Sequence, residues 1–95
     1  MASTKEFLEF VLEQIDAPDD VMCRQMMGEY LLYWQGVHFG GIYDNRLLVK
    51  KSTATVQFNM PEAIPYEGAK AMYQVNVDER EEVKRVVAAI VLGMK

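Results

Sequence analysis

Cys23 and His38 are the one cysteine and the one histidine in a chain of 95 residues. A thiol becomes a nucleophile when a nearby base takes its proton, and a histidine oriented by a carboxylate such as Asp44 could serve. That constellation would carry acyl-transfer or thiol chemistry. The local pattern argues against it. Cys23 lies in an apolar, strand-like run, where a cysteine behaves as a small core residue. His38 stands at a strand start beside a turn, where its ring should face water. Arg24 adjoins Cys23, but adjacent strand side chains point to opposite faces, so it should activate the thiol little. The expectation is a buried, slowly reacting thiol and no catalytic residue.

Other patterns that could do chemistry read the same way. The carboxylate pairs Asp19-Asp20 and Glu81-Glu82 lack ligand spacing and suit helix ends and solvent. Neither a metal site nor a cofactor is expected. Gly40-Gly41 sits between Phe39 and Ile42, and glycine inside a strand marks a bulge or a close approach. Internal packing there, with Trp34 or a helix residue filling the space, is favoured. The alternative is a small-ligand pocket over the two glycines. Seven methionines are many for this length. Met26 and Met72 are assigned to the core, Met22 and Met60 to either core or surface. Tyr30, Tyr33 and Trp34 could stack on bases, but half-buried sheet packing suits such aromatics better.

The elements that must position these residues can be read from spacing. Leu8, Val11, Leu12 and Ile15 share one face of a helix over about 4–16, with Ser3 and Glu6 as a capping box. Ala17-Pro18-Asp19-Asp20 stops it. Val21–Met27, Tyr30–Trp34, Val37–Tyr43 and Leu47–Val49 read as strands of an antiparallel meander. Gln35-Gly36 and Asp44-Asn45 are tight turns. Val37, Phe39 and Tyr43 should share a face. Ser52 or Thr53 caps a short helix to Asn59. Ile64–Tyr66 and Ala71–Val75 form a hairpin around Glu67-Gly68. Asp78 to Glu81 opens a last helix with Val83, Val86, Val87 and Ile90 inward and Gly93 at its C-cap. The class is α+β: N-terminal helix, antiparallel β meander, short helix, β hairpin, C-terminal helix, in one domain spanning 1–95.

Composition narrows the partners. Ten basic and 14 acidic residues give a net charge of −4. Proteins that grip duplex DNA alone neutralise phosphates with Lys and Arg, and no basic run here exceeds Lys50-Lys51. No autonomous nucleic-acid binding is expected. No apolar run nears the roughly 20 residues that span a bilayer, and the charged opening Met-Ala-Ser-Thr-Lys-Glu is unlike a signal peptide. No membrane association and a cytoplasmic location follow as expectations.

The run Arg24-Gln25-Met26-Met27-Gly28-Glu29-Tyr30-Leu31-Leu32-Tyr33 resembles the N-terminal domain of the TfoX (Sxy) family, as do Gly36-Val37-x-Phe39 and Ile42-x-Asp44-x-Arg46-Leu47-x-x-Lys50. The motif positions are Arg24, Met26, Gly28, Tyr30, Tyr33, Gly36 and Phe39. The helix Lys5–Val11 and the strand Ala71–Val75 are similar too. Met27 replaces a usual phenylalanine, and Glu29 and Leu31 replace usual glycines. The resemblance implies a fold like that of type III secretion chaperones, often dimeric. It also implies a bacterial role in competence or transcription, which full-length members perform with a second, C-terminal domain that this chain is expected to lack. It transfers no catalytic residue.

A non-enzymatic protein-interaction domain, paired as a homodimer and engaging an unknown protein partner, is therefore expected. Phe10 lies off the apolar face of the first helix, and Leu92 opposes Val83 and Ile90 on the last. These two are the candidate interface.

Overall fold

The computed structural model describes residues 3–94. Helix α1 spans Lys5–Ile15, with Leu8, Val11 and Ile15 buried. Its cap falls one residue later than expected: Thr4 Oγ1 accepts the Phe7 N–H at 3.1 Å. Ser3 is freed for other bonds. Asp16 ends the helix in the left-handed region at φ 56°.

Strands β1 (Val21–Met26), β2 (Glu29–Trp34), β3 (Val37–Ile42) and β4 (Leu47–Val49) follow as a meander. Three two-residue turns join them. Met27 and Gly28 (φ 52° and 85°), Gln35 and Gly36 (48° and 87°) and Asp44 and Asn45 (53° and 54°) all have positive φ. This geometry matches the right-handed twist of paired strands. The expected strands leave Gly28-Glu29 between them, and the turn falls one residue earlier, at Met27-Gly28, although methionine is a poor residue at positive φ.

The next stretch is less helical than expected. Thr55, fully buried, donates Oγ1–H to the Lys50 carbonyl at 2.9 Å and accepts the Ser52 N–H. That closes a turn, and only one 3₁₀ turn, Val56–Phe58, follows. β5 is Glu62–Ala63 rather than 64–66, and it pairs with β6, Met72–Val75. Helix α2 spans Arg80–Gly93 with Val83, Val86, Val87 and Ile90 buried. Its N-cap, Glu79, makes no side-chain cap bond, and Gly93 is its last helical residue, with Met94 capping at ordinary helical φ/ψ. The capping box at Asp78–Glu81 and the glycine C-cap are thus both corrected.

All six strands form one antiparallel sheet in the order β1-β2-β3-β4-β6-β5. Both helices cover the same face. Leu32, Phe39, Ile42, Leu47, Val49 and Val75 meet Leu8, Val11, Val83 and Val86 there in a single core. Met60 belongs to that core, whereas Met26, assigned to it from sequence, is half exposed.

The core depends on an irregularity in β3. Leu32 pairs with Gly40, but Tyr33 pairs with His38. Phe39 is therefore an extra residue, a bulge. Without it, Phe39 and Ile42 would lie on opposite faces. With it, both enter the core, while Tyr43 is carried to the other face. The expected sharing of a face by Phe39 and Tyr43 is corrected for this reason. Gly40 allows the close approach that the bulge creates. A Cβ there would lie 2.4 Å from the Leu48 carbonyl oxygen. At Gly41 it would lie 2.7 Å from the Tyr30 carbonyl oxygen and 2.8 Å from the Tyr43 ring. The space beside Gly41 is filled by Tyr43, not by Trp34, which packs near Ile15 and Ala17.

Gly40→Ala should therefore cost about 3 kcal/mol, at the upper end for overpacked sites, because the obstacle is backbone. Urea unfolding of the variant against the parent measures the loss.

Candidate functional site

The register places the expected chemistry apart. Cys23 pairs with Leu32, and His38 pairs with Tyr33. Neighbours along β2 point to opposite faces, so the thiol and the imidazole lie on opposite sides of the sheet and two strands apart. Asp44 sits in the β3–β4 turn. The three form no catalytic constellation.

Two expectations about these residues are corrected. Cys23 is exposed, because β1 is the outermost strand and no helix reaches over it. His38 is partly buried, with its Nε2 enclosed and without a hydrogen-bond partner. Its ring lies 5.3 Å from that of Tyr33. Burial lowers the His38 pKa below 6.5, and the nearby Lys50 charge lowers it further, against a Gly40 backbone hydrogen bond that raises it. Among the described residues, no three His, Cys, Asp or Glu side chains gather as a metal site would.

The polar side chain of Glu29 ties distant segments together. Its Oε1 accepts the Ser3 N–H at 3.1 Å, and its Oε2 accepts the Asp44 N–H at 2.6 Å and the Ser3 hydroxyl at 3.4 Å. Ser3 Oγ in turn accepts the Asn45 N–H, and Asn45 Oδ1 accepts the Thr4 N–H. One carboxylate thus binds the start of α1 and the β3–β4 turn to the β1–β2 hairpin. Arg46 extends the clasp: its Nε donates to the Tyr43 carbonyl and its guanidinium to the Ile64 carbonyl. The partners of Glu29 lie 15 and 26 positions away. Local pattern carries no signal for such bonds.

The sheet face opposite the helices is the chief surface feature. Segment 64–71 folds over its β3–β4 half, where Tyr43 and Leu48 are buried and the Tyr66 ring lies 6.2 Å from that of Tyr43. Burial pushes the Tyr43 phenol pKa above 10. Among the described residues, nothing covers the β1–β2 half. Met22, Arg24 and Met26 project from it beside Leu31 and Tyr33, and Met27 is 97% exposed at the turn. Between the halves lies a cleft of about 460 Å³ lined by Met26, Met27, Glu29, Leu31, Tyr43 and Tyr66.

The motif residues do not converge on this face. Gly28 and Gly36 make turns. Tyr30 and Phe39 pack into the core. Arg24, Met26 and Tyr33 alone belong to the open face. The base-stacking arrangement fails for a related reason, since Tyr30 and Trp34 face the helices and Tyr33 faces away. Phe10, 39% exposed beside Phe7, and Leu92, 72% exposed, do stand at the surface of their helices.

Fold and surface together define a small α+β domain with two helices on one side of an antiparallel sheet and an apolar, half-open second side. No family model matches the chain, and no solved structure matches it. It is 37% identical over 87 residues to an uncharacterized 12.7 kDa protein in the trpE 5′ region of Spirochaeta aurantia, covering 90% of this chain and 75% of that one. The chain belongs to the family of that protein. Among the described residues, no helix is long and apolar enough to cross a membrane.

Two outcomes are expected at these residues. Glu29→Ala removes the carboxylate's bonds to Ser3 and Asp44 and opens the clasp, so stability should fall by about 1 kcal/mol, the net scale of hydrogen bonds that water can replace; chemical denaturation measures it. For His38, the lowered pKa means that the unfolded chain takes up the proton first. Its contribution is complete above pH 6.5 and declines as pH falls through the lowered value. His38→Gln should flatten the fall in urea midpoint below pH 6.5, and an unchanged profile would contradict this.

Proposed function

We propose that this chain is a non-enzymatic protein-interaction domain with a regulatory role. The observation that carries the reading is the uncovered β1–β2 half of the sheet. Met22, Met26 and Met27 stand exposed there, and Tyr66 borders it across the cleft. Methionine is flexible and polarisable, and it adapts to protein surfaces that differ in shape. Apolar side chains grouped in this way mark contact sites more often than accidental exposure.

The regulatory part rests on the resemblance to TfoX (Sxy) N-terminal domains. It points to competence or transcription control in the bacterial cytoplasm, exerted through protein contacts. The net charge of −4 supports a protein partner over duplex DNA, since the chain has little with which to neutralise phosphates. Phe10 and Leu92 offer a second, smaller contact on the helical side.

The cleft also supports a narrower second reading, a small apolar ligand bound beside Tyr43. It lies across the Tyr43 ring from Gly41 rather than over the glycines themselves.

Affinity capture from the native cells separates these readings. The variant Met26→Glu/Tyr66→Glu alters two exposed side chains and should fold normally. A protein retained by the parent should be lost by about tenfold or more, as happens when central interface anchors are removed. Equal capture by parent and variant would overturn the interaction reading at this face.

A further inference from the structure

We propose that β1 is a self-association edge: two copies pair antiparallel along Val21–Gln25 about a two-fold axis at Cys23, joining their sheets into one. This rests on the interaction reading above and names one occupant for part of that surface, a second copy of this chain.

The argument begins with backbone geometry. In a hairpin closed by a two-residue turn, the residues flanking the turn form a hydrogen-bonded pair, and such pairs alternate along the ladder. Met26 pairs with Glu29 across the Met27-Gly28 turn. Met26, Arg24 and Met22 therefore direct their N–H and C=O groups at β2. Val21, Cys23 and Gln25 direct theirs outward, beyond the sheet. The outward Val21 N–H is already taken by the Ala17 carbonyl at 3.0 Å. Among the described residues, the Val21 carbonyl and both groups of Cys23 and Gln25 remain on the open edge.

Proteins usually guard such an edge with proline, a bulge, inward charges or a very short strand. The opposite edge of this sheet, β5, is two residues long. β1 is six residues long, is regularly paired and has no proline. Its one charge is Arg24.

That charge selects the register. Residues directly opposite in an antiparallel pair share a face, so a continuous two-sided sheet permits only certain alignments. Two of these engage five residue pairs. One centres on Arg24 and sets the two guanidinium groups face to face, which is destabilising. The other centres on Cys23. It sets Arg24 opposite Met22 of the second copy and places Asp20 of the second copy diagonally within reach. In that register Cys23 N–H donates to the Cys23 carbonyl of the second copy, Gln25 N–H donates to the Val21 carbonyl, and symmetry repeats both. The open faces, each bearing Met22 and Met26, then become continuous across the axis.

Sedimentation equilibrium of the full chain tests this. Cys23→Pro removes the axial N–H, which β2 does not use. Cys23→Lys sets two ammonium groups together at an exposed position. Circular dichroism checks that each variant folds. The parent should sediment at twice the 10.9 kDa chain mass at about 100 μM, and both variants should weaken the dimer by about 100-fold. A parent that remains at the single-chain mass to about 1 mM, or a dimer that persists in both folded variants, would overturn the proposal. A monomeric parent that still captures its partner through the open face would overturn the edge pairing alone.

Discussion

The structure turns on the close passage of β3 beside β4 at Gly40. There the backbone of one strand comes so near the Leu48 carbonyl that a single methyl group would collide with it. The bulge at Phe39 lies next to this point, and the two features act together. The bulge sends Phe39 and Ile42 into one core. It also sends Tyr43 to the far side, where the Tyr66 ring and segment 64–71 can rest on it. Two packed surfaces, one under the helices and one under a loop, thus arise from one extra residue in one strand.

Glu29 holds the assembly at a different corner. Its carboxylate joins three chain segments. Such a bond network specifies geometry more than it adds net stability, because each group gives up water to make it. Its effect is to set where α1 starts relative to the sheet. That in turn fixes which helix residues face Leu32 and Ile42.

Much of this could be read from the residues. The α1 and α2 faces follow helical spacing, and Gln35-Gly36 and Asp44-Asn45 announce their turns through residues that tolerate positive φ. What could not be read has identifiable causes. A bulge inverts the alternation of every residue beyond it, and nothing but the paired glycines hints at one. Met27 conceals the position of its turn because its side chain disfavours the conformation it adopts. Cys23 and Met26 look like core residues because an edge strand and a central strand can share the same composition. Thr55 looked like part of a helix, yet its hydroxyl closes a turn on Lys50. The open sheet face was legible only as an excess of methionine, since deciding which side a helix covers requires the register.

The three two-residue turns have a consequence for how the chain orders itself. Closing a loop costs entropy that grows with its length. The pairings of β1 with β2, β2 with β3 and β3 with β4 each close over adjacent residues, so the meander assembles at the lowest entropic cost in the sheet. The pairing of β4 with β6, Leu47 against Val75, must gather the whole span from 47 to 75. Contacts of that separation slow folding. The first four strands therefore form a locally closed unit. The last strand and α2 are the parts whose attachment decides when the core beneath them is sealed.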